Sequence, residues 1–354
     1  MTTKEKVLNE LNNKSEPVSG EYLARICGVS RAAVWKAINS LREAGVCING
    51  TTNGGYMIEG QADIFSLETV RREFESVFPQ FSESHIECFN EIDSTNTYAK
   101  RLLSQCASLR NEKGELTADG KKYNNSIIVA EFQTAGRGRS GRTFVSPKKT
   151  GIYLSVIVMP EGGVKNPARI TAFSAVAVCR AIEKLYGAEP SIKWINDIFL
   201  NGKKVSGILT EGTANFETGI IDSAIIGIGI NIEPNEEFSK SGLSKVAGSI
   251  IDGTADKNDK KNSVTRAKFA AFVAGEVLSV LQEDTNVVIS EYKARSFIIG
   301  KTVEVHALAD SDQGMYKATA VDITDDAALV VECSDGSRHI LSSGEVTLKS
   351  DAFV

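Results

Sequence analysis

The first sixty residues alternate short apolar stripes with capping and turn residues. Val7, Leu8 and Leu11 recur at helical spacing, and Ser19 stands where an N-cap opens a second helix through Tyr22, Leu23 and Ile26 that stops near Gly28. Ser30 is placed to cap a third helix, in which Val34, Ala37, Ile38 and Leu41 share one face and Gly45 suits the left-handed position after the end. Arg31, Ala32, Trp35, Lys36 and Asn39 are left on the other faces. A strand over 46–49, a Thr-Thr-Asn-Gly-Gly turn over 51–55 and a strand over 56–59 predict a small hairpin.

After a short polar-to-apolar linker at 63–67 the pattern changes. It predicts a helix over 67–78, a strand over 85–90, a helix from Ser94 to about 104, strands over 126–132 and 151–158, and a long helix over 167–186. Strands over 192–200, 204–211 and 224–232 follow, so the expected core is a mixed sheet flanked by helices. The stretch 105–125 carries charges and glycine with little apolar content and predicts an exposed insertion. A helix starting at Ser263 places Phe269, Phe272, Val273, Val277, Val280 and Leu281 on one side, a packing face. From Lys301 onward come short strands over 303–308, 316–323, 329–333, 339–341 and 345–348, with a hairpin turn at Asp335-Gly336. The expected class is α+β with domains at 1–62, 66–296 and 297–354.

The segment GEYLARICGVSRAAVWKAINSLREAG resembles the winged helix-turn-helix family along its length. Such a domain lays its third helix in the major groove, which makes Ser30, Arg31, Lys36 and Asn39 the candidate DNA contacts. Charge adds nothing to that reading: residues 1–60 hold seven Lys plus Arg against six Glu, and the whole chain carries a formal −5. A generic basic coat for nucleic acid is excluded, and a protein-binding role for the three-helix unit stays open.

Composition narrows the chemistry. With 42% hydrophobic and 24% charged residues, no run near 18 apolar residues and no signal-like N-terminus, a soluble cytoplasmic protein is expected. The six cysteines show no C-x-x-C spacing and predict reduced, mostly buried thiols. His85, His306 and His339 lie too far apart in sequence for a histidine-rich zinc site, and no residues are assigned to a metal.

The strongest chemical signal is GRGRSGR, residues 136–142, directly after an apolar strand and Gln133-Thr134-Ala135. Glycines let a backbone approach a ligand closely, and three arginines in seven residues concentrate positive charge, so phosphate is the natural occupant. The spacing is neither a Walker loop nor a dinucleotide fingerprint. Taken alone it also fits a solvated basic loop or a nucleic-acid contact. It is accompanied by EIDSTNTYAK at 91–100, KWIND at 193–197 leading into FLNGKKVSGILTE, and IGIGINI at 226–232. Together these resemble the biotin protein ligase family, and its bifunctional biotin operon repressors in particular, over nearly the whole chain. Ile195 stands where that family usually has proline, which puts the local turn in question.

The resemblance implies a catalytic domain of class II synthetase-like type and an SH3-like C-terminal barrel that assists ATP and acceptor binding, although a purely structural barrel fits the sequence equally. It implies biotin and ATP as substrates with Mg²⁺, biotinyl-5'-AMP as intermediate, and a lysine of a biotin carboxyl carrier protein as acceptor. Ser94, Thr95 and Gln133 would hold the ureido group; Gly136, Arg137, Gly138 and Arg139 would wrap carboxylate and phosphate, and Lys193 would bridge both ligands. Biotin's carboxylate is already ionised at pH 7, so attack on the α-phosphate needs no general base, and the cations Arg137, Arg139 and Lys193 are the catalytic candidates. Asn96 is placed with the biotin contacts, and Gly207 with the apolar wall, which Gly229 also fits. Arg139, Arg142, Asn196 and Asn231 are placed with the nucleotide, although Asn96, Asn196 and Asn231 suit local turns nearly as well and each glycine, taken singly, suits a turn or tight strand packing better. Trp194 fits a core position better than an adenine platform. The segment 233–245 is expected to be a loop that orders over the adenylate. One winged helix reads few base pairs, so a homodimer on operator DNA is expected, with the adenylate as co-repressor. Two rivals stand beside this reading: a ligand-sensing transcription factor without catalysis, and a lipoate-type ligase.

Overall fold

The computed structural model describes all residues except 1, 13, 15, 44–45, 47, 52–53, 59–62, 215–218, 244, 255–263, 307–314 and 349–354. Gly45, Cys47, the end of the second wing strand at Glu59 and the helix start at Ser263 lie outside the described residues. So do the boundary at 62 and the chain's last six residues.

The N-terminal unit comprises helices α1 (Thr3–Asn12), α2 (Gly20–Cys27) and α3 (Arg31–Glu43) and the antiparallel pair β1 (Ile48–Thr51) and β2 (Gly55–Ile58). The expected caps are in place: Ser19 Oγ accepts from Tyr22 N at 3.1 Å, Ser30 Oγ accepts from Ala33 N at 3.2 Å, and Gly28 takes the left-handed φ of 68° between α2 and α3. Val7, Leu11, Leu23, Val34, Ile38, Leu41 and Tyr56 close the core. The first wing strand starts two residues later than the pattern predicts. Val46 is buried and its N–H bonds the carbonyl of Leu41, so it completes the exit from α3 rather than pairing in the hairpin. Arg42 fastens the wing to α3 through the carbonyls of Ile48 (3.0 Å) and Gly50 (3.1 Å).

The linker is anchored rather than loose. Phe65 is buried, Ser66 caps α4 (Leu67–Val77), and Asp63 pairs with the buried Arg266, which also donates to Glu131 at 2.9 Å and lies over the Phe65 ring.

The central domain continues with β3 (Ile86–Phe89), α5 (Thr95–Ser104), α6 (Ala118–Tyr123), β4 (Ser126–Ala130), β5 (Gly151–Val158) and α7 (Pro167–Tyr186). Then follow β6 (Ser191–Lys193), β7 (Asp197–Leu200), β8 (Lys203–Ala214), β9 (Ile221–Asn231), α8 (Glu236–Lys240), α9 (Ile250–Gly253), α10 (Arg266–Val280) and α11 (Thr285–Arg295). Seven strands form one mixed sheet in the order β3-β4-β5-β9-β8-β7-β6, parallel only at β3–β4. Alternation sorts the side chains: Ile127, Val129, Val156, Ile226 and Ile228 join the large core with α7 and α10, while Ile128, Ile157 and Ile225 pack with Ala99 and Leu103 of α5.

Much of the stretch 105–125 is exposed, residues 111–115 throughout, as its composition suggests, but a few buried residues pin it to the domain. Arg110 is buried and donates to the carbonyls of Gly114 (2.9 Å), Pro160 (2.6 Å) and Asp222 (3.2 Å), Leu109 is buried, and Thr117 caps α6. A guanidinium can satisfy several carbonyls at once, which lets a polar segment dock without an apolar stripe. The five described cysteines are free; Cys27 and Cys179 are buried, whereas Cys88, Cys106 and Cys333 are only partly so.

The C-terminal strands β10 (Thr302–His306), β11 (Tyr316–Ile323), β12 (Leu329–Glu332), β13 (Arg338–Leu341) and β14 (Glu345–Leu348) form a five-stranded antiparallel sheet, order β13-β12-β11-β10-β14. Val303, Val305, Leu329, Val331 and Val346 continue the large core of the central domain. Trp194 Nε1 donates to Ala327 O at 2.8 Å and Lys293 pairs with Asp322, so this sheet is fastened to the central domain.

Candidate functional site

The I-G-I-G-I alternation of β9 builds the floor of a cavity of about 520 Å³. Its isoleucines at 226, 228 and 230 point to the core, so Gly227 and Gly229 fall on the opposite face, where their lack of side chains leaves room. Antiparallel pairing places Ser155 and Leu209 beside Gly227, and Tyr153 and Gly207 beside Gly229. The space is used: a Cβ at Gly227 would stand 2.4 Å from Asn96 Oδ1, and one at Gly229 would stand 2.4 Å from the Phe144 ring.

One end of the cavity is polar. Ser94 is buried at the N-cap of α5, Thr95 donates from its N–H to Gln133 Oε1 at 2.9 Å, and Gln133 Nε2 donates to Ser146 Oγ at 3.0 Å. Ser155 Oγ lies 2.7 Å from Thr95 Oγ1 and 2.6 Å from Asn96 Oδ1, and its single proton serves one of them at a time.

Residues 136–142 form a tight hairpin above this floor. Phe144 N bonds Gly136 O (2.9 Å) and Gly138 N bonds Arg142 O (2.7 Å), with Ser140 and Gly141 at φ 54° and 73° in the turn. Arg139 donates to Asn196 Oδ1 at 2.9 Å and to Gly344 O at 2.8 Å, linking the hairpin to the β6–β7 turn and to the C-terminal sheet. Arg137 faces Glu211 at 3.6 Å. Glu211 also accepts from Lys100 (2.7 Å) and Asn96 (2.9 Å). Burial pushes its carboxyl up, but the hydrogen bonds from Lys100 and Asn96 and the charges of Lys100 and Arg137 outweigh this and hold it below the ordinary glutamate value.

The structure brings Ser94, Thr95, Asn96, Gln133, Arg137, Gly138, Arg139, Arg142, Lys193, Asn196, Gly207 and Asn231 to the walls of this one cavity. Gly136 is the exception among the expected ligand contacts. It is buried beneath the hairpin, where a Cβ would meet Phe144 O at 2.3 Å and Ser146 Oγ at 2.6 Å, so it serves the hairpin's closure. Asn196 and Asn231 also make local bonds, to Ile208 O (3.0 Å) and Gly248 O (3.2 Å). Trp194 is buried against the C-terminal sheet, as a core residue. The turn at Ile195 is formed, with Lys193 paired to Asp197 across it and Ile195 O accepting from Tyr292 at 3.1 Å; the Trp194–Ile195 peptide is cis. Ser30, Arg31, Lys36 and Asn39 stand apart, in the N-terminal unit at the start and on the open faces of α3.

Several wall residues carried no signal in the sequence: Phe144, and His306, Gly344 and Val346 from the C-terminal sheet. Nor did Ser146 and Ser155, which hydrogen-bond the wall residues Gln133 and Thr95. Lys204 on the wall pairs with Asp197 of the KWIND segment at 2.6 Å. Phe144 could have been found from its place two residues beyond Arg142 in the same hairpin. The segment after β9 contains the short α8 and lays Phe238, Leu243 and Val246 along the rim; Lys204 N to Val246 O (2.8 Å) and Gly248 N to Lys204 O (2.9 Å) tie it to β8.

Of the ionisable side chains other than His306 on these walls, five are cationic (Arg137, Arg139, Arg142, Lys193, Lys204) and one is a carboxylate (Asp197). Such a balance, in a cavity with apolar glycine-floored walls and a hydroxyl-amide end, suits an elongated ligand with an anionic part and a neutral polar head. The mixed sheet floors this cavity and the basic hairpin covers it. Residues 90–231 match the model of the biotin/lipoate A/B protein ligase family, residues 298–349 that of the biotin protein ligase C terminal domain, and residues 3–57 that of an HTH domain. The bifunctional ligase/repressor BirA of Bacillus spizizenii is 28% identical over 329 residues, covering 93% of each chain. That of Escherichia coli is 27% identical over 337 residues, covering 94% of this chain and 93% of its own. The biotin protein ligase from Aquifex aeolicus in complex with biotin and ATP shares the fold, with a TM-score of 0.56 at 22% identity over 74% of this chain and 97% of that one. Over nearly its whole length the chain is similar to bifunctional ligase/repressor proteins, and its central residues match the biotin/lipoate ligase model.

Proposed function

We propose that this protein joins biotin to ATP as biotinyl-5'-AMP, transfers the biotinyl group to a lysine of a biotin carboxyl carrier protein, and represses biotin genes as a DNA-bound dimer with the adenylate as co-repressor. The observation that carries the enzymatic half is the convergence of Arg137, Arg139 and Lys193 on a cavity whose far end is Ser94, Thr95 and Gln133.

The ureido group offers one acceptor and two donors, which the Thr95–Gln133–Ser146 chain of hydroxyl and amide groups complements. The apolar part of biotin lies over Gly207 and Gly229 beside Phe144. A carboxylate oxygen then attacks the α-phosphorus, an O–P bond forms, and pyrophosphate leaves with its electron pair. Two anions meet in this step, so the arginines and Lys193 supply stabilisation that grows in the transition state. In the second step the acceptor amine attacks the acyl carbon, AMP departs, and the amine proton passes to water. Asp197, paired with Lys204 at 2.6 Å, is the carboxylate on the cavity wall that would help to hold Mg²⁺, which would supply neutralisation of phosphate charge. The rim residues Phe238, Leu243 and Val246 suit a strap over the nucleotide that keeps water from the acyl phosphate. The catalytic sheet is read as class II synthetase-like and the C-terminal sheet as an SH3-like barrel whose Gly344 carbonyl holds Arg139 toward the nucleotide.

For repression, α3 enters the major groove through Ser30, Arg31, Lys36 and Asn39. Incubation with biotin, ATP and Mg²⁺, followed by mass spectrometry of the bound ligand, tests the ligase reading, with lipoic acid as the competing acid. Retention of biotinyl-5'-AMP is expected; a lipoyl adenylate or no adenylate overturns it. Operator titration and sedimentation with and without biotin plus ATP test the repressor half, which fails if dimer and DNA affinity both ignore the adenylate.

A further inference from the structure

Glu211 lies on β8 four residues beyond Gly207, on the cavity face of the strand. Its carboxylate joins three separate elements. Oε1 accepts from Lys100 Nζ of α5 at 2.7 Å and faces Arg137 Nη2 of the hairpin at 3.6 Å, and Oε2 accepts from Asn96 Nδ2 at 2.9 Å. Asn96 is itself held by Leu209 O at 3.2 Å and by Ser155, in the space left by Gly227. The Glu211 side chain is only 16% exposed, while that of Arg137 is 49% exposed.

A carboxylate beside a site that gathers anions weakens their binding unless it has another use. Lys100 offsets its charge, so the cluster of Lys100, Arg137 and Glu211 keeps a net positive charge. What remains of Glu211 is direction. A second arginine of the hairpin, Arg139, is held by Asn196 and Gly344 O. Long exposed arginines otherwise sample many rotamers, and ordering them costs entropy at the moment of binding.

We propose that Glu211 is the positioning residue for Arg137, holding its guanidinium at the edge of the hairpin where the acid's carboxylate meets the α-phosphate. The inference rests on the ligase reading above. Glu211 does not touch substrate; it acts through Arg137, with Asn96 and Lys100 fixing its own orientation.

The test is a double-mutant cycle in the biotin-dependent exchange of pyrophosphate into ATP, using the full chain. Glu211→Gln should lower kcat by about tenfold, since a misdirected cation costs the transition state most. The KM for biotin should stay within about twofold, because loss of a negative charge beside the site compensates for lost order. Arg137→Ala should show a defect at least as large. In the Arg137→Ala background Glu211→Gln should add no further loss, the signature of action through one partner. A wild-type-like kcat in Glu211→Gln, or defects that multiply in the double variant, overturns the proposal. If Glu211→Gln does not fold, Glu211→Asp enters the same cycle, keeping the charge while shortening its reach, and the same criterion applies. Wild-type exchange that needs biotin is the control: its absence refutes the ligase reading itself, whereas its presence with a failed cycle refutes only the role of Glu211.

Discussion

Two glycines two residues apart in the hairpin should respond oppositely to the same substitution. At Gly136 an added Cβ would stand 2.3 Å from the backbone oxygen of Phe144 and 2.6 Å from Ser146 Oγ, whereas at Gly138 the nearest atom is Arg142 O at 3.4 Å. Ordinary contact begins near 3.4 Å, so Gly136→Ala requires a shift of 3.4 − 2.3 = 1.1 Å between two backbone segments, and Gly138→Ala requires almost none. Gly138 has extended backbone, φ −117°, which alanine adopts freely. The two strands that must separate at Gly136 carry Arg137 and Arg139 on one side and Phe144 on the other, and displacing reacting groups by about 1 Å costs roughly 10²-fold in rate. Biotin-dependent pyrophosphate exchange should therefore fall about a hundredfold in Gly136→Ala and by no more than about tenfold in Gly138→Ala, which lines the cavity but leaves the hairpin closed. Thermal unfolding should separate a hairpin defect from global misfolding, with both variants melting within a few degrees of wild type. Equal activities for the two variants would refute the assignment of Gly136 to hairpin closure.

Other substitutions probe the rest of the site and its frame. Lys193→Ala should reduce exchange by about 10²-fold or more while leaving the melting transition nearly unchanged, because a charge that meets two anions acts in the bound and transition states; near-normal exchange removes Lys193 from the chemistry. Arg139→Ala loses its bonds to Asn196 and Gly344 and should speed release of the adenylate by about tenfold, read from single-turnover dissociation; an unchanged off-rate contradicts it. Trp194→Phe strands the Ala327 carbonyl and should cost about 1–3 kcal/mol, measured by calorimetry of the central and C-terminal units; no shift would mean the bond contributes nothing. Burial pushes the Glu291 carboxyl up, but hydrogen bonds from Arg180 and Arg295 outweigh this and hold it below its ordinary value. A lowered native pKa gives stability that is present above the unfolded value of about 4.3 and lost as pH falls below it toward the native value. Glu291→Gln should then flatten the acid limb of the stability curve, and an unaltered limb would show that the pair does not govern it.

The winged helix and the glycine strand were legible in the chain for different reasons. In the N-terminal unit each helix boundary is written locally, by Ser19, Gly28 and Ser30 next to stripes of 3.6-residue period, and the caps form as the pattern implies. In IGIGINI the two-residue period shows that glycines share one face, but their uses differ. Gly227 makes room for Asn96 and Gly229 for Phe144, and neither neighbour is near in sequence. Composition showed the exposure of 105–125 but not its anchor, because the docking group is a single arginine whose acceptors are backbone carbonyls, invisible to a hydrophobicity pattern.

The same separation explains which parts of the site a sequence can carry. The chemical types were readable: clustered arginines, a lysine in a turn, a capped helix offering hydroxyls. Their aim was not. Asn96 and Glu211 are 115 residues apart, and Arg139 and Gly344 are 205 apart, so the partners of Arg137 and Arg139 belong to another strand and another sheet. Each makes an unremarkable local pattern: a glutamate in a strand and a glycine in a turn. A charge's identity is a local property of the chain, whereas its direction depends on partners supplied only by the tertiary fold. Of the two, direction is what distinguishes a cation that merely attracts an anion from one that lowers a barrier, because only a cation held where charge develops avoids reorganising as the reaction proceeds.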